Sequence, residues 1–265
     1  MDVKELENKV ALVTGASRGI GRAISLALAQ EGAQLILAGR DLDALKETAE
    51  LIVKLAAGPT PFVAELDLLN YSSIQKCVQQ TLVNFGQIDI LVNNSGITGK
   101  SAPLWELGEA EWDEGIDTNL KGPFLISKEI IPSMRARKSG SIIFIGSITG
   151  KRPLVNRSVY AASKLGLVGM MRTLALELAR DGVRVNLISP GFVSGPRLDG
   201  VIAQVARNEN TLPEEMNAQW LEMVPTGKFV SPENIAQGVL FFATERSGAT
   251  TGEDLNISGG LVMYS

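Results

Sequence analysis

Seven short apolar runs alternate along the chain with segments of helical periodicity, and this alternation constrains the fold more than any other feature. The runs are nearly continuous in Val, Ile and Leu, which is typical of strands buried on both faces of a parallel sheet. The predicted strands are Val10–Thr14, Gln34–Ala38, Pro61–Glu65, Asp89–Asn93, Ser141–Ile145, Val183–Ile188 and Asp254–Ile257. The predicted helices are Ile20–Glu31, Leu42–Ala56, Ser72–Phe85, Glu111–Met134, Val159–Arg180 and Pro232–Thr244. This order predicts an α/β fold with a doubly wound, seven-stranded parallel sheet and helices on both faces.

The 265 residues are predicted to form a single domain, since no repeat, low-complexity tract or linker interrupts the alternation. One segment, Pro190–Pro225, carries no strand signal. A long segment of this kind inside a compact domain is often a functional lid. We therefore predict a substrate lid at about residues 190–225.

The composition disfavours several classes of function. With 25 Lys and Arg against 29 Asp and Glu, the net charge of -4 gives no basic excess for nucleic acid and no polybasic stretch for a membrane surface. The charged start, Met1–Lys9, and the lack of a long apolar run predict a cytoplasmic protein without a membrane span. There is no histidine, which excludes a Ser-His-Asp triad and nearly every catalytic zinc site. We therefore predict a small-molecule substrate, no bound metal, and a Tyr, Lys, Asp or Glu as the acid/base.

A glycine-rich turn joins the first predicted strand to the first predicted helix. Glycines allow a tight turn there and let backbone N–H groups at the helix N-terminus approach a pyrophosphate, whose negative charge the helix dipole favours. The spacing GxxxGxG differs from the GxGxxG fingerprint, but the position between strand and helix fits a dinucleotide site. The predicted cofactor-binding residues of the turn are Gly15, Ser17, Arg18, Gly19, Ile20 and Gly21.

The end of the second predicted strand indicates which dinucleotide binds. An acidic residue at this point selects NAD(H), whereas an arginine accepts the 2′-phosphate of NADP(H). Here the strand ends at Arg40, and Arg18 offers a second cation. Asp41 could favour NAD(H), but it is predicted to cap the helix that follows. The sequence therefore predicts NADP(H) rather than NAD(H).

A tyrosine and a lysine four residues apart, Tyr160 and Lys164, share one face of a predicted helix. A lysine ammonium beside a phenol stabilises the phenolate, which lets a tyrosine exchange a proton at useful rates near neutral pH. The alternative is an exposed aromatic residue beside a surface lysine. Tyr160 is thus a candidate acid/base whose support has to come from neighbouring residues.

Ser147 and Asn119 supply that support. Ser147 follows the fifth predicted strand, and ligands bind at the carboxyl ends of strands in such sheets, so its hydroxyl is predicted to hold the substrate oxygen. Asn119 lies in an otherwise apolar run of a predicted helix. Its amide needs a partner, either a helix backbone group in a structural role or a water that leads toward Lys164.

Four basic residues are candidates for attracting an anionic substrate. Arg157 precedes Tyr160 by three residues, where it could face the substrate, and the others are Lys151, Arg152 and Arg197. The alternative is a set of solvated surface charges.

Together these motifs resemble the short-chain dehydrogenase/reductase family over essentially the whole chain. TGASRGIG (14–21), NNSG (93–96), Asn119, Ser147, YAASK (160–164) and PGFV (190–193) occur in the order and spacing of that family. The resemblance implies a Rossmann fold. It also implies an NADP(H)-dependent oxidoreductase that interconverts a secondary alcohol and a ketone by hydride transfer.

The resemblance assigns further roles. It implies that Tyr160 is the acid/base, that Lys164 activates it and holds the nicotinamide ribose, and that Asn119 supports a proton relay. The additional cofactor contacts that it implies are Asp67 and Leu68 beside the adenine, Asn94 along the cofactor chain and Val193 at the nicotinamide amide. A homotetramer is also implied.

Two alternatives remain. The first 190 residues resemble 3-oxoacyl-carrier-protein reductases of fatty acid synthesis, although the segment at about 190–225 looks longer than those enzymes need. A catalytically silent relative that only binds the dinucleotide is the other alternative. The presence of Ser147, Tyr160 and Lys164 together disfavours it.

Overall fold

A parallel seven-stranded sheet forms the centre of the molecule. The computed structural model describes residues 4–55 and 58–264. Its strands are β1 (Val10–Thr14), β2 (Gln34–Gly39), β3 (Phe62–Glu65), β4 (Ile90–Asn93), β5 (Gly140–Ile145), β6 (Val183–Pro190) and β7 (Asp254–Ile257). They lie in the order β3-β2-β1-β4-β5-β6-β7, with every neighbouring pair parallel. The predicted α/β class and the doubly wound sheet are confirmed.

Helices cover both faces of this sheet. Those that the structure describes are α1 (Gly19–Gln30), α2 (Leu42–Lys54), α3 (Tyr71–Phe85), α4 (Glu109–Ile116), α5 (Gly122–Arg137), α6 (Ser158–Leu178), α7 (Pro196–Asn208), α8 (Pro213–Glu222) and α9 (Pro232–Ala243). In β1, Ala11 and Val13 join the apolar core beneath α1, α2 and α9, whereas Val10 and Leu12 join the core beneath α3, α5 and α6. Both faces are therefore buried, which explains the continuous apolar runs. The predicted end of the second helix, Ala56, lies outside the described residues.

The predicted helix Glu111–Met134 is interrupted in the structure. A wide π-type turn, Asp117–Lys121, separates α4 from α5. A turn of this kind holds one residue more than an α-helical turn, and it often marks a functional site. Asn119 lies within it and is almost completely buried.

The segment expected as a loop at about 190–225 contains two helices, α7 and α8. Apolar side chains of these helices, together with two residues that flank them, form a cluster distinct from the two cores of the sheet: Phe192, Leu198, Ile202, Ala206, Met216, Trp220 and Val224. Within this cluster the rings of Phe192 and Trp220 are stacked, with their centres 4.5 Å apart. The absence of a strand signal was predicted correctly, but the helical spacing of the apolar residues was overlooked.

The sheet changes direction between β1 and β4. From β1 the chain runs outward through β2 and β3, then returns to β4 on the other side of β1. At such a switch point the carboxyl ends of the two strands open a crevice in which ligands bind in α/β sheets. Across residues 4–55 and 58–264, no helix combines the length and the apolar character needed to cross a bilayer.

Candidate active site

The glycine turn lies at this crevice, directly after β1. Gly15 and Gly19 have φ angles of +65° and +53°, a region that favours glycine. A Cβ at Gly21 would come within 2.0 Å of the Gly15 carbonyl oxygen, so the first turn of α1 packs directly on the backbone of the turn. A Cβ at Gly19 would meet nothing within 4 Å, so the turn leaves space beside the N-terminus of α1, where the sequence predicts that a phosphate binds.

Thr14 and Asn94 connect the ends of β1 and β4. The Thr14 Oγ1 accepts hydrogen bonds from the backbone N–H groups of Asn94 and Ser95, each at 3.0 Å. The Asn94 Nδ2 donates to the carbonyl oxygens of Thr14 and Gly15 at 2.9 and 3.1 Å. Asn94, implied as a cofactor contact, thus braces the glycine turn with its own side chain. The part played by Thr14 was missed, although the residue lies inside the quoted motif.

The predicted 2′-phosphate residues lie at the end of β2. Arg40 is exposed, and the Nη2 of Arg18 lies 3.2 Å from the Asp41 Oδ2. The Asp41 Oδ1 accepts a hydrogen bond from the Ala44 N–H at 3.1 Å, which caps α2 as predicted. One carboxylate therefore serves both as a helix cap and as the partner of Arg18.

The other predicted cofactor residues lie around the same edge of the sheet. Ile20, Asn94 and Val193 line the cavity that contains Tyr160. The Ser17 carbonyl oxygen accepts hydrogen bonds from Arg22. Asp67 and Leu68 follow β3; the Asp67 Oδ1 accepts from the Leu69 N–H at 3.0 Å, and Leu68 is buried.

Ser147, Tyr160 and Lys164 line one cavity. Ser147 follows β5, and its Oγ accepts a hydrogen bond from the Thr149 N–H at 3.1 Å and lies 3.2 Å from the Thr149 Oγ1. Tyr160 and Lys164 lie one turn apart on α6, with the Lys164 Nζ 5.7 Å from the centre of the Tyr160 ring. Three of the four residues that the sequence singled out for catalysis therefore share this cavity, whereas the fourth, Asn119, is not part of its wall.

Lys164 is almost completely buried, and its Nζ donates to the Ile145 carbonyl oxygen at 2.9 Å. Burial lowers the pKa of Lys164 to about 7, with a smaller contribution from the nearby charge of Arg197. The sequence analysis considered this lysine only as an ammonium, whereas its burial in the structure favours the neutral form.

This low pKa predicts a pH dependence of stability. Lys164 titrates at about 7 when folded and near 10.4 when unfolded. Between these values the unfolded chain binds more protons, so the free energy of unfolding should rise with pH. We expect Lys164→Met to flatten that rise in urea titrations from about pH 7 to 9, while Lys46→Met, at an exposed lysine, keeps it. Parallel profiles for wild type and Lys164→Met would contradict this prediction.

Asn119 binds the chain segment that follows β4. Its Oδ1 accepts from the Ile97 N–H at 2.8 Å, and its Nδ2 donates to the Ile97 carbonyl oxygen at 2.9 Å and to the Ser163 Oγ at 3.2 Å. The partners of Asn119 are thus the backbone of Ile97 and the side chain of Ser163, and neither is a helix backbone group. The Ser163 hydroxyl in turn donates to the Tyr160 carbonyl oxygen at 2.8 Å, which ties Asn119 to α6.

Gly96 is a further site residue that the sequence analysis did not identify. A Cβ at this position would lie 3.0 Å from the Asn119 Oδ1 and 3.5 Å from the Lys164 Nζ. The lack of a side chain therefore keeps open the space between these two polar groups. The glycine of NNSG and the serine of YAASK were both visible in the sequence, but no role was assigned to Gly96 or Ser163.

The four basic residues considered for an anionic substrate have different surroundings. Arg157 and Arg197 line the cavity, and Arg197 donates to the Gly96 carbonyl oxygen. The Lys151 Nζ is buried instead against β7, 2.8 Å from an Asp254 carboxylate oxygen and 2.6 Å from Asn256. Arg152 contacts the sulfur of Met223. Lys151, paired with Asp254, and Arg152 are therefore not part of the cavity wall, so only Arg157 and Arg197 remain candidates for an anionic substrate.

The chain was compared with known proteins. The short chain dehydrogenase family matches residues 9–205. The 3-oxoacyl-[acyl-carrier-protein] reductase of Thermotoga maritima is 39% identical over 97% of this chain and 99% of its own length. Among solved structures, an actinorhodin polyketide ketoreductase variant with NADPH superposes with a TM-score of 0.93 at 33% identity, covering 100% of both chains. An NAD+-bound xylitol dehydrogenase has a TM-score of 0.91 at 27% identity, covering 97% of this chain and 100% of its own.

The chain therefore belongs to the short-chain dehydrogenase/reductase family. It is an oxidoreductase that uses a nicotinamide dinucleotide, as the motifs predicted. The geometry fits this cofactor: a glycine turn left open at the N-terminus of α1 would hold the pyrophosphate, and the cavity beside it contains Tyr160 and Lys164. Within the described part of the chain, no group of acidic or cysteine side chains is arranged to bind a metal ion.

Proposed function

We propose that this protein interconverts a ketone and a secondary alcohol with NADP(H) and that Tyr160 transfers the proton. The observation that carries this proposal is the meeting of Ser147, Tyr160 and Lys164 in one cavity beside the glycine turn. Turnover should be visible as NADPH consumption in a panel of ketones, keto acids and acyl thioesters. Binding of the cofactor with no turnover would favour the silent relative instead.

The chemistry follows from the side chains. The bound nicotinamide supplies or accepts the hydride. In reduction, the Ser147 hydroxyl holds the substrate oxygen while the Tyr160 hydroxyl gives it a proton, and in oxidation the Tyr160 oxygen takes the proton back. The Lys164 ammonium has three N–H donors, and one of them bonds the Ile145 carbonyl oxygen. The other two are available to stabilise the charge left on Tyr160 and to bind the ribose.

The preference for NADP(H) is proposed from Arg40 and Arg18. A 2′-phosphate at the end of β2 would meet the exposed Arg40 and could draw Arg18 away from Asp41, whose ion pair is exposed and therefore weak. The relatives do not decide the matter, since one similar structure contains NADPH and another NAD+.

We expect Arg40→Ala to lower kcat/KM for NADPH by roughly 10- to 100-fold, the worth of a charge-assisted hydrogen bond. The value for NADH should change by less than about threefold, because NADH has no 2′-phosphate for the arginine to bind. Lys46→Ala, an exposed position on α2, serves as the control. Equal losses for both cofactors would refute the assignment of Arg40.

A second candidate activity is the reduction of 3-oxoacyl thioesters. The 39% identity to the Thermotoga maritima reductase over nearly the whole of both chains favours it. Turnover of acetoacetyl-CoA with an efficiency well above that of simple ketones would support this substrate class. Inactivity on the thioester, with turnover of free ketones, would exclude it.

Assembly as a homotetramer is proposed from exposed apolar residues on α5 and α6. Phe124, Leu165 and Leu176 are exposed, and apolar surface of this kind marks protein interfaces. Most of the other apolar residues of α6, including Leu167 and Met171, are buried in the core of the sheet and carry no such argument. Sedimentation equilibrium tests the state. We also propose a cytoplasmic location, with which the single, buried Cys77 is compatible.

A further inference from the structure

Arg157 is a largely buried cation in the wall of the cavity. Its relative exposure is 8%, and its Nη1 donates to the Thr98 carbonyl oxygen at 3.4 Å, near the limit for a hydrogen bond. Within residues 4–55 and 58–264, no carboxylate pairs with it. A guanidinium has five N–H donors and stays charged in proteins, and Arg157 lines the cavity, so donors that bond no protein group can reach a ligand there.

Such burial is unfavourable unless something compensates it. Buried charges in proteins are normally paired, because removing a charge from water costs several kcal/mol. The same loss of water lowers the pKa of Arg157. An anion brought into the cavity by a ligand would supply the missing partner.

The cavity as a whole is cationic. Arg157, Lys164 and Arg197 line it, whereas none of its lining residues in the described chain is acidic. Lys164 and Arg197 already bond the protein, since Lys164 donates to the Ile145 carbonyl oxygen and Arg197 to the Gly96 carbonyl oxygen. Arg157 lies instead beside Thr98 and Tyr160, and a charge on Tyr160 would be felt by its guanidinium. It is thus the cation left for the substrate.

We propose that Arg157 binds a carboxylate of the substrate, so that the substrates are 2-oxo or 3-oxo acids and the corresponding hydroxy acids. This inference rests on the proposed function. Arg157 directly precedes α6, Tyr160 lies in the first turn of α6, and both line the cavity, so one short molecule can present a carbonyl to the phenol and a carboxylate to the guanidinium. The cavity wall of Leu154, Leu198, Val201 and Trp220 would receive an apolar substituent.

The test compares acids with their uncharged esters. Wild type, Arg157→Gln and Arg157→Lys are assayed with NADPH on 2-oxohexanoate, 3-oxohexanoate and the methyl ester of each. Arg207→Gln, at an exposed arginine on α7, is the matched control. Wild type should prefer at least one acid over its ester by about 30-fold or more, and Arg157→Gln should lower kcat/KM for that acid by about 100-fold but for the ester by less than about threefold.

Arg157→Lys keeps the positive charge but cannot form bidentate hydrogen bonds with a carboxylate, so it should retain an intermediate preference for the acid. It also serves if the glutamine variant does not fold. Equal efficiency of acid and ester in wild type would overturn the inference while leaving the oxidoreductase intact. An equal loss on acid and ester in Arg157→Gln would do the same, because Arg157 would then act on Tyr160 or on the fold.

A binding measurement separates this inference from the proposed function. Calorimetry of 3-oxohexanoate with the enzyme and NADP+ requires no turnover. Binding by wild type that is lost in Arg157→Gln supports the carboxylate site even if every carbonyl is inert, in which case only the proposed reaction fails. Absence of binding to wild type, together with turnover of uncharged ketones, rejects the carboxylate site and keeps the reaction.

Discussion

Replacement of Tyr160 by phenylalanine is expected to lower kcat by at least about 1000-fold, within the range attributed to general acid/base groups. The substitution removes only the hydroxyl oxygen and keeps the ring that lies 5.7 Å from the Lys164 Nζ. Cofactor binding should therefore change little, and we expect the Kd of NADPH, measured by fluorescence titration, to stay within about threefold of wild type.

The matched control is Tyr71→Phe, which removes the hydroxyl of an exposed tyrosine on α3. It should keep wild-type turnover. Retention of more than a few per cent of activity by Tyr160→Phe would reject Tyr160 as the proton donor. A loss of NADPH binding equal to the loss of turnover would instead assign the tyrosine to the cofactor site.

Replacement of Gly21 by alanine should disrupt the glycine turn. The added Cβ would lie 2.0 Å from the Gly15 carbonyl oxygen and 2.6 Å from the Asn94 Nδ2, so either α1 or the turn must move. Overpacking of this kind costs about 1–3 kcal/mol or more, which lowers Tm by roughly 3–10 °C in a chain of this size. We also expect the affinity for NADPH to fall by more than about 10-fold, since the amides of the turn would no longer converge on the pyrophosphate.

Gly200→Ala, at an exposed position on α7, is the control for this substitution. A Cβ at Gly200 meets nothing within 4 Å, so alanine should be neutral or stabilise the protein by about 0.5–1 kcal/mol through the helix preference of alanine. Thermal unfolding and NADPH titration of the two variants side by side give the comparison. A wild-type Tm and a wild-type affinity in Gly21→Ala would show that the close approach of α1 to the turn is unimportant.

The strands could be predicted to within one or two residues because burial on both faces leaves an uninterrupted apolar run, as in β1 and β2. Tyr160 and Lys164 could be placed next to each other from their spacing alone, because residues four apart lie on the same face of a helix. The turn Asp117–Lys121 could not be found in this way, since one additional residue in a helical turn leaves almost no trace in the hydrophobic pattern.

Contacts between distant segments were also beyond the sequence. Lys151 follows Ser147 closely in the chain, yet its partner Asp254 lies on the last strand, and only the neighbouring positions of β6 and β7 in the sheet bring that carboxylate within reach. The partners of Asn119, Ile97 and Ser163, likewise come from two other segments. A polar residue in an apolar run indicates that a partner is needed, but it does not identify the partner.

The apolar cluster of α7 and α8 separates the residues that determine which substrate fits from those proposed to transfer the proton. The groups proposed to transfer the proton are fixed by β5 and α6, whereas much of the cavity wall belongs to a cluster with its own packing partners. Exchange of Leu198 or Trp220 can therefore change which molecules fit without altering the distance between Tyr160 and Lys164. New substrate ranges should arise by repacking these two helices, with the catalytic framework inherited unchanged.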